Sequence, residues 1–467
     1  MHFEHNLLDA FGQLRVSEKT PALQIKPTYN TKKFMLEKTT NGGTCTVSDY
    51  MWNCTSGSNA NAKAQFLTKK EIIYRSGISS TALFTAKFTP ATNTYCSAGL
   101  YNVTDELSFG YNNTDFCIFY KHHGLGECQK IICANISSAM YDVVLNGVTY
   151  QWPFVTGDAQ RTAYNLANYV NTLATGWEAD QVDDTVYIIA DDSSVRNGSY
   201  STTLTNAVMS QEVAGVAKTE QIIKQTDWNI NTMSELDPTK GNVYKISYQY
   251  LGFGSIFFYI ERADGKFQLV HEIKYTNNNT ITSLANPNFQ IGLLAFSSGT
   301  NSCTAQSSSV AAFLDGKNVL TANSIAVSNT ITSSTTAGTN ILSIKNNYQK
   351  NGYSNEIEVI PLVLSISNNA GKSVLINLIL NGNFTTGTTD YQEVATDNIT
   401  TVNKEANIVA DGELIHSFSV AGHSSIIVDI KKLNFVFTRG ETLAITSKLS
   451  SGSGADLTAS LTYYEDR

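Results

Sequence analysis

Charge is sparse in this chain: Asp, Glu, Lys and Arg together make up 15% of 467 residues and sum to −8 at neutral pH. A protein that grips a phosphate backbone needs clustered Lys and Arg, so nucleic acid is not an expected partner. Long apolar runs are also missing. No window approaches the roughly 18 consecutive apolar residues of a membrane span, and membrane insertion is not expected. The N-terminal MHFEHNLLDAFG carries acids and histidines where a secretory signal would place a basic and then an apolar stretch, so no Sec signal is expected. Proline is scarce. The seven cysteines, Cys45, Cys54, Cys96, Cys117, Cys128, Cys133 and Cys303, are odd in number and lack the CxxC spacing of a zinc cluster. They are expected to be buried free thiols, although Cys45 and Cys54 could face each other across a hairpin.

Catalytic and cofactor motifs are absent as well. His2, His5, His122, His123, His271, His416 and His423 form no HExxH or HxH run. His122 and His123 are adjacent, so on a strand they would point to opposite faces and could not chelate one ion together. There is no GxSxG elbow and no GxxxxGK[ST] loop, and Gly252 and Gly254 of LGFG precede a strand-like run where a dinucleotide site needs a helix. DQVDDTV at 180–186 and IADDSS at 189–194 lack the alternating oxygens and glycine of a calcium loop and read as solvated turns. No metal and no cofactor is expected, and no fixed-period repeat suggests a solenoid.

What the chain does contain is Asn, Ser, Thr, Gly and 23 Tyr, arranged in short alternating runs that read as β-strands. FFYIERADGKFQLVHEIKY (257–275) and ELSFGYNNTDFCIFYKHH (106–123) read as hairpins, as does DVVLNGVTYQW around Asn146-Gly147. One segment breaks the pattern. In GDAQRTAYNLANYVNTLATGW, Ala163, Leu166, Ala167, Val170 and Leu173 recur at helical spacing, Asp158 can cap the start and Gly176 the end. The fold class expected is therefore mainly β: a discontinuous β-sandwich body (35–127 with 218–312), a small inserted α+β module (128–217), a polar linker (313–340) and a C-terminal β-sandwich or jelly roll (341–467), preceded by an arm (1–34).

Two residue classes could carry a site. A polysaccharide-cleaving enzyme needs only two carboxylates across a groove, but Asp227, Glu235, Asp237, Glu261, Asp264 and Glu272 sit mostly in turn contexts where acids are common, and an enzyme is not expected. Aromatic side chains stack on sugar faces. Trp152, Trp177 and Tyr353 are the candidate glycan-contacting aromatics.

The segment DAFGQLRVSEKTPALQ near the start resembles the "AFGxLRvsexTPlfq" opening shared by a family of virion structural proteins of tailed bacteriophages and large algal viruses. KKEIIYRSGISSTALFTAKFT (69–89), SFGYNNTDFCIFYKHHG (108–124) and the stretch TDWNINTMSELDPTKGNVYKISYQYLGFGSIFFYIERADGKFQLVHEIKYTNNN (226–279) continue the resemblance. It implies a structural component of a virus particle, not an enzyme: an oligomeric fibre or spike, with a trimer favoured, located in the virion after assembly in the host cytoplasm. Phe11, Gly12, Leu14, Arg15 and Val16 are then the candidate attachment residues, with capsid, portal, collar or tail proteins as partners and host-surface glycans as a further contact. A capsid cement protein without receptor role and a glycan-degrading tailspike are the alternatives.

Overall fold

The computed structural model describes residues 19–154, 156–316, 324–332, 335–385, 390–433, 435–449 and 454–466. The chain is mainly β and divides into two compact units: residues 1–123 with 218–320, and residues 124–217 with 321–467.

The first unit is a sandwich of two antiparallel sheets. The seven-stranded sheet runs Thr219–Lys224, Asp115–His122, Glu106–Asn112, Thr94–Tyr101, Gln290–Ser297, Ala62–Thr68 and Met35–Thr40. The nine-stranded sheet includes Phe267–Ile273, Ile256–Glu261, Asn242–Tyr248 and Ser80–Thr89 in that order. Alternation turns one face of each sheet inward. Phe109 on one sheet meets Tyr244 and Phe258 on the other at ring-centroid distances of 4.9 and 5.4 Å, and these rings belong to one continuous buried cluster. Both hairpins read in this unit form, with Gly265 and Asn113 in the left-handed backbone their turns require.

Two features of the first unit differ from the sequence reading. Lys19–Ile25, placed in the arm, is a strand paired antiparallel with Val310–Asp315, with a bulge between Pro21 and Leu23. His122 and His123 do not point apart. His123 has a left-handed backbone (φ 57°), which turns its ring back until the two Nδ1 atoms are 2.7 Å from each other. Its amide donates to Asp105 Oδ1 at 3.2 Å, and burial, then His123, holds the His122 imidazole below its ordinary value. All seven cysteines are buried and free, with Cys45 directly opposite Cys54 across a hairpin.

The second unit joins the inserted module to a jelly roll. The single α-helix among the described residues, Ala159–Leu173, begins where Asp158 accepts a hydrogen bond from the Arg161 amide and buries Ala163, Leu166, Ala167 and Val170; Leu173, the fifth residue of the expected stripe, is exposed. The Asn146-Gly147 turn forms, both residues with positive φ. Strand Cys128–Ile132 lies between Thr185–Ala190 and Val208–Val213 in a four-stranded sheet. In the jelly roll, Ser324–Ile331, Leu457–Asp466, Glu358–Asn368 and Ser424–Asp429 form one sheet, and the second contains Thr339–Asn346, Thr442–Leu449, Val374–Leu380 and Glu413–Val420 in order. Counted along the chain, the sheets run 1-8-3-6 and 2-7-4-5, the pairing of two Greek keys. Strand Ser324–Ile331 falls within the span read as linker. Its Ser and Thr residues face outward while Val327 and Ile331 enter the core, so half of an amphipathic strand looked like a polar connector.

One buried carboxylate ties the module to the jelly roll. Asp180, on strand Trp177–Val182, is fully buried and not the solvated turn residue expected. It accepts from the amides of Tyr348 (2.6 Å) and Gln349 (3.1 Å) and meets Lys345 Nζ at 2.7 Å. Burial pushes its carboxyl up, against the pull of Lys345 and the two amides. Asp180→Ala leaves an ammonium and two amides without their anion, a change that costs about 3–5 kcal/mol for a buried pair. Hydrogen exchange read by mass spectrometry should show faster exchange across 124–217 and 321–467 with the first unit unchanged; wild-type protection in the second unit would contradict this role.

Candidate functional site

The inserted module carries a polar cleft of about 460 Å³ lined by Gln129, Arg196, Asn197, Gly198, Tyr200, Met209, Ser210 and Gln211. Gln129 and Gln211 are direct cross-strand partners, and their amide groups donate to the same buried acceptor, Glu127 Oε1, at 2.6 and 3.4 Å. Each amide is thus held by one group and keeps hydrogen-bonding capacity of its own.

The opposite wall comes from the loop after Thr185–Ala190. Arg196 lays its guanidinium over the Trp177 ring at 4.3 Å, donates to Asp192 Oδ1 at 3.0 Å and to the Gly176 carbonyl at 3.2 Å, and faces Asp191 at 3.9 Å. A planar cation stacked and forked in this way loses little freedom on meeting a ligand. Tyr200 presents its ring to Trp177 edge-on at 6.2 Å; its hydroxyl is buried. Burial, then the neighbouring Glu127, pushes that hydroxyl up, so it stays protonated.

Gly198 sets the position of the loop. A Cβ there would sit 2.3 Å from the Asn146 carbonyl carbon, and the Gly198 amide donates to Asn146 Oδ1 at 2.8 Å. The loop therefore lies on the tip of the Asn146-Gly147 hairpin at a separation only glycine allows. The cleft combines amides, a guanidinium, a hydroxyl and the Met209 thioether, a set suited to holding a polyhydroxylated ligand by many neutral hydrogen bonds.

The sequence candidates fall around this cleft unevenly. Trp177 is only 6% exposed and stands behind Arg196, while Trp152 is stacked in the module's core between Tyr150 and Tyr169. Neither offers a ring face to a ligand, which corrects their assignment as sugar-contacting residues. Tyr353 is exposed, on a small hairpin whose Gly352 packs where a Cβ would meet Val213 and Cys128, the ends of the strands that carry Gln211 and Gln129. Phe11, Gly12, Leu14, Arg15 and Val16 lie outside the described residues. Gln129 and Gln211 come from two strands and Arg196 and Tyr200 from one loop, with no shared motif. The one local signal was the Asn197-Gly198 dipeptide.

Four of the acids read as turn residues share a second feature. Glu235, Asp237, Glu261 and Asp264 line an open cleft of about 780 Å³ in the first unit with Lys240 and Arg262. Asp237 is occupied by the Thr239 hydroxyl (2.5 Å) and amide (3.1 Å) and by Lys240 (3.2 Å); the hydrogen bonds from Thr239 and Lys240 hold its carboxyl below the ordinary value. Asp264 accepts from the Lys266 amide at 3.2 Å across the hairpin turn. Among the described residues no group of three or more His, Cys, Asp or Glu side chains is placed to hold a metal ion.

No protein-family model and no curated protein matches the chain. Among solved structures it is similar to the lectin from Bauhinia forficata in complex with GalNAc (10% identity over 64% of this chain and 100% of that one, TM-score 0.25). It is also similar to a prokaryotic β-1,3-1,4-glucanase from a mouse hindgut metagenome (10% identity, 62% and 97%, TM-score 0.27). A third likeness is to the endo-β-1,4-glucuronan lyase of Trichoderma reesei (8% identity, 63% and 95%, TM-score 0.28). At such values these likenesses say nothing about the ligand or reaction of this chain.

Because Gly198 spaces the Arg196 loop from the hairpin, Gly198→Ala should destabilise the protein by about 1–3 kcal/mol, the range for overpacking a tight contact. Chemical denaturation measures this. A midpoint equal to wild type would show that the loop is not held there.

Proposed function

We propose that the chain is a structural protein of a virus particle, an oligomeric fibre or spike held through its N-terminal segment, with the inserted module contacting host-surface glycans. The observation that carries this reading is the connection between the resembling segment and the body. Val16 lies three residues before Lys19, where the strand Lys19–Ile25 begins and is stitched into the nine-stranded sheet by its pairing with Val310–Asp315. A partner that gripped Phe11–Val16 would hold the chain three residues in sequence from a strand of that sheet. The jelly roll adds support, since that architecture recurs in capsid and lectin domains.

Oligomerisation is supported by jelly-roll edges that no strand among the described residues pairs. Edge strands Ser424–Asp429 and Glu413–Val420 expose Ile427 (74%) and Leu414 (59%), with Val363 and Leu375 exposed on the strands beside them. An apolar edge left open invites pairing with another copy, and three-fold closure would cover it. Light scattering should give about three times the 51.0 kDa chain mass, falling toward one for Ile427→Lys. A chain lacking residues 1–18 should keep its fold by circular dichroism and fail to enter particles. A monomeric wild type, or normal incorporation of the truncated chain, would count against the reading.

A second reading, a glycan-degrading tailspike, is favoured by the four-carboxylate cleft of Glu235, Asp237, Glu261 and Asp264. It requires that purified protein release reducing ends from host polysaccharide and that Glu235→Gln or Glu261→Gln abolish the release. The non-catalytic reading expects no reducing ends from any of the three proteins.

A further inference from the structure

We propose that Tyr29 and Tyr50 form a second carbohydrate-binding site, at the end of the first unit remote from residue 19. The two side chains are the most exposed aromatics of the described residues, 87% and 69%, and with Lys26, Pro27, Thr28 and Ser308 they line a cleft of about 370 Å³. Both belong to tight turns that aromatic residues ordinarily avoid. Ser48 and Met51 are cross-strand partners, so Asp49 and Tyr50, with φ of 50° and 59°, form a two-residue turn with both residues left-handed. Asn-Gly is the usual occupant of such a turn, and Tyr50 stands where glycine is preferred. Tyr29 and Asn30 repeat the arrangement at φ 56° and 53°. The two turns are tied together: the Tyr50 amide donates to Asn30 Oδ1 at 3.1 Å.

A bulky side chain in the left-handed region is strained, and such strain persists where the residue has work to do. Here it holds two tyrosine rings in solvent, where burial gains them nothing. The chemistry of the lining selects the ligand. Two aromatic rings and the Pro27 ring offer apolar faces, while Lys26, Thr28, Ser308 and the tyrosine hydroxyls offer hydrogen bonds at the rim, matching a pyranose with its apolar face and hydroxylated edge. Position agrees with use. Lys19 pairs with Asp315 and Ile25 with Val310, so the strand carries the chain about 20 Å, at ~3.3 Å per residue, from its N-terminal end to the end bearing Lys26 and the cleft.

The proposal rests on the reading of the protein as a glycan-contacting virion component, and the test separates the two. The full chain is screened on an array of neutral and acidic oligosaccharides with a polyproline peptide included, and the strongest saccharide binder is titrated by calorimetry against Tyr29→Ala, Tyr50→Ala, Tyr50→Gly, Tyr50→Trp and Arg196→Ala. Expected is a loss of ten-fold or more for both Ala variants, retention in Tyr50→Trp, and in Tyr50→Gly a raised unfolding midpoint together with lost binding, because glycine relieves the turn while removing the ring. Saccharide binding unaffected by the Tyr29 and Tyr50 variants but lost in Arg196→Ala overturns this site and leaves glycan contact standing. Wild type binding no saccharide, or only the peptide, overturns both.

Discussion

The ion pair of Asp180 and Lys345, reinforced by the amides of Tyr348 and Gln349, is the interaction on which the second unit depends. Much of the remaining contact between the inserted module and the jelly roll is apolar, among it Tyr164, Phe384, Tyr391, Val409 and Ala444. Apolar contacts are non-directional, whereas a buried carboxylate with three donors has one satisfactory placement. A buried charge of this kind contributes specificity of docking more than net stability. A second link repeats the logic: Arg439 reaches Glu178 of the module at 2.9 Å and Ser354 at 2.5 Å. The cleft of Gln129, Arg196 and Tyr200 sits in the module oriented in this way, and the Tyr353 hairpin beside it belongs to the jelly roll.

Local signals were legible where they are short-range. Hairpins at Asp264-Gly265 and Asn146-Gly147 and the helix after Asp158 follow from turn chemistry and periodicity, and each forms where the residues said it would. Misreadings came from environment. Asp180 lies in an acid-rich run that looks solvated, and only a lysine 165 residues further along makes its burial affordable. His122 and His123 would diverge on a regular strand, but the left-handed backbone at His123 ends the strand and brings the rings together. Trp152 and Trp177 have the ring chemistry for sugar, yet burial spends both on the core. The groups lining the cleft have no spacing a reader could find, since Gln129 and Gln211 meet only because their strands pair.

The same contrast separates the two aromatic populations. Most rings in this Tyr- and Phe-rich chain interlock between sheets, as Phe109 does with Tyr244, Phe258 and Trp228. Tyr29 and Tyr50 stand outside that network on strained turns. A departure from turn chemistry at two linked, exposed positions marks a place where stability has been traded for a surface property.

Attachment through the N-terminus is the central claim, and cryo-electron microscopy of intact particles tests it most directly. The account predicts three copies around one axis, with Lys19 of each at the particle surface and the Tyr29 and Tyr50 turns farther from it. Particles without this chain, or a single copy with Lys19 facing solvent and the tyrosine turns against the particle, would contradict it.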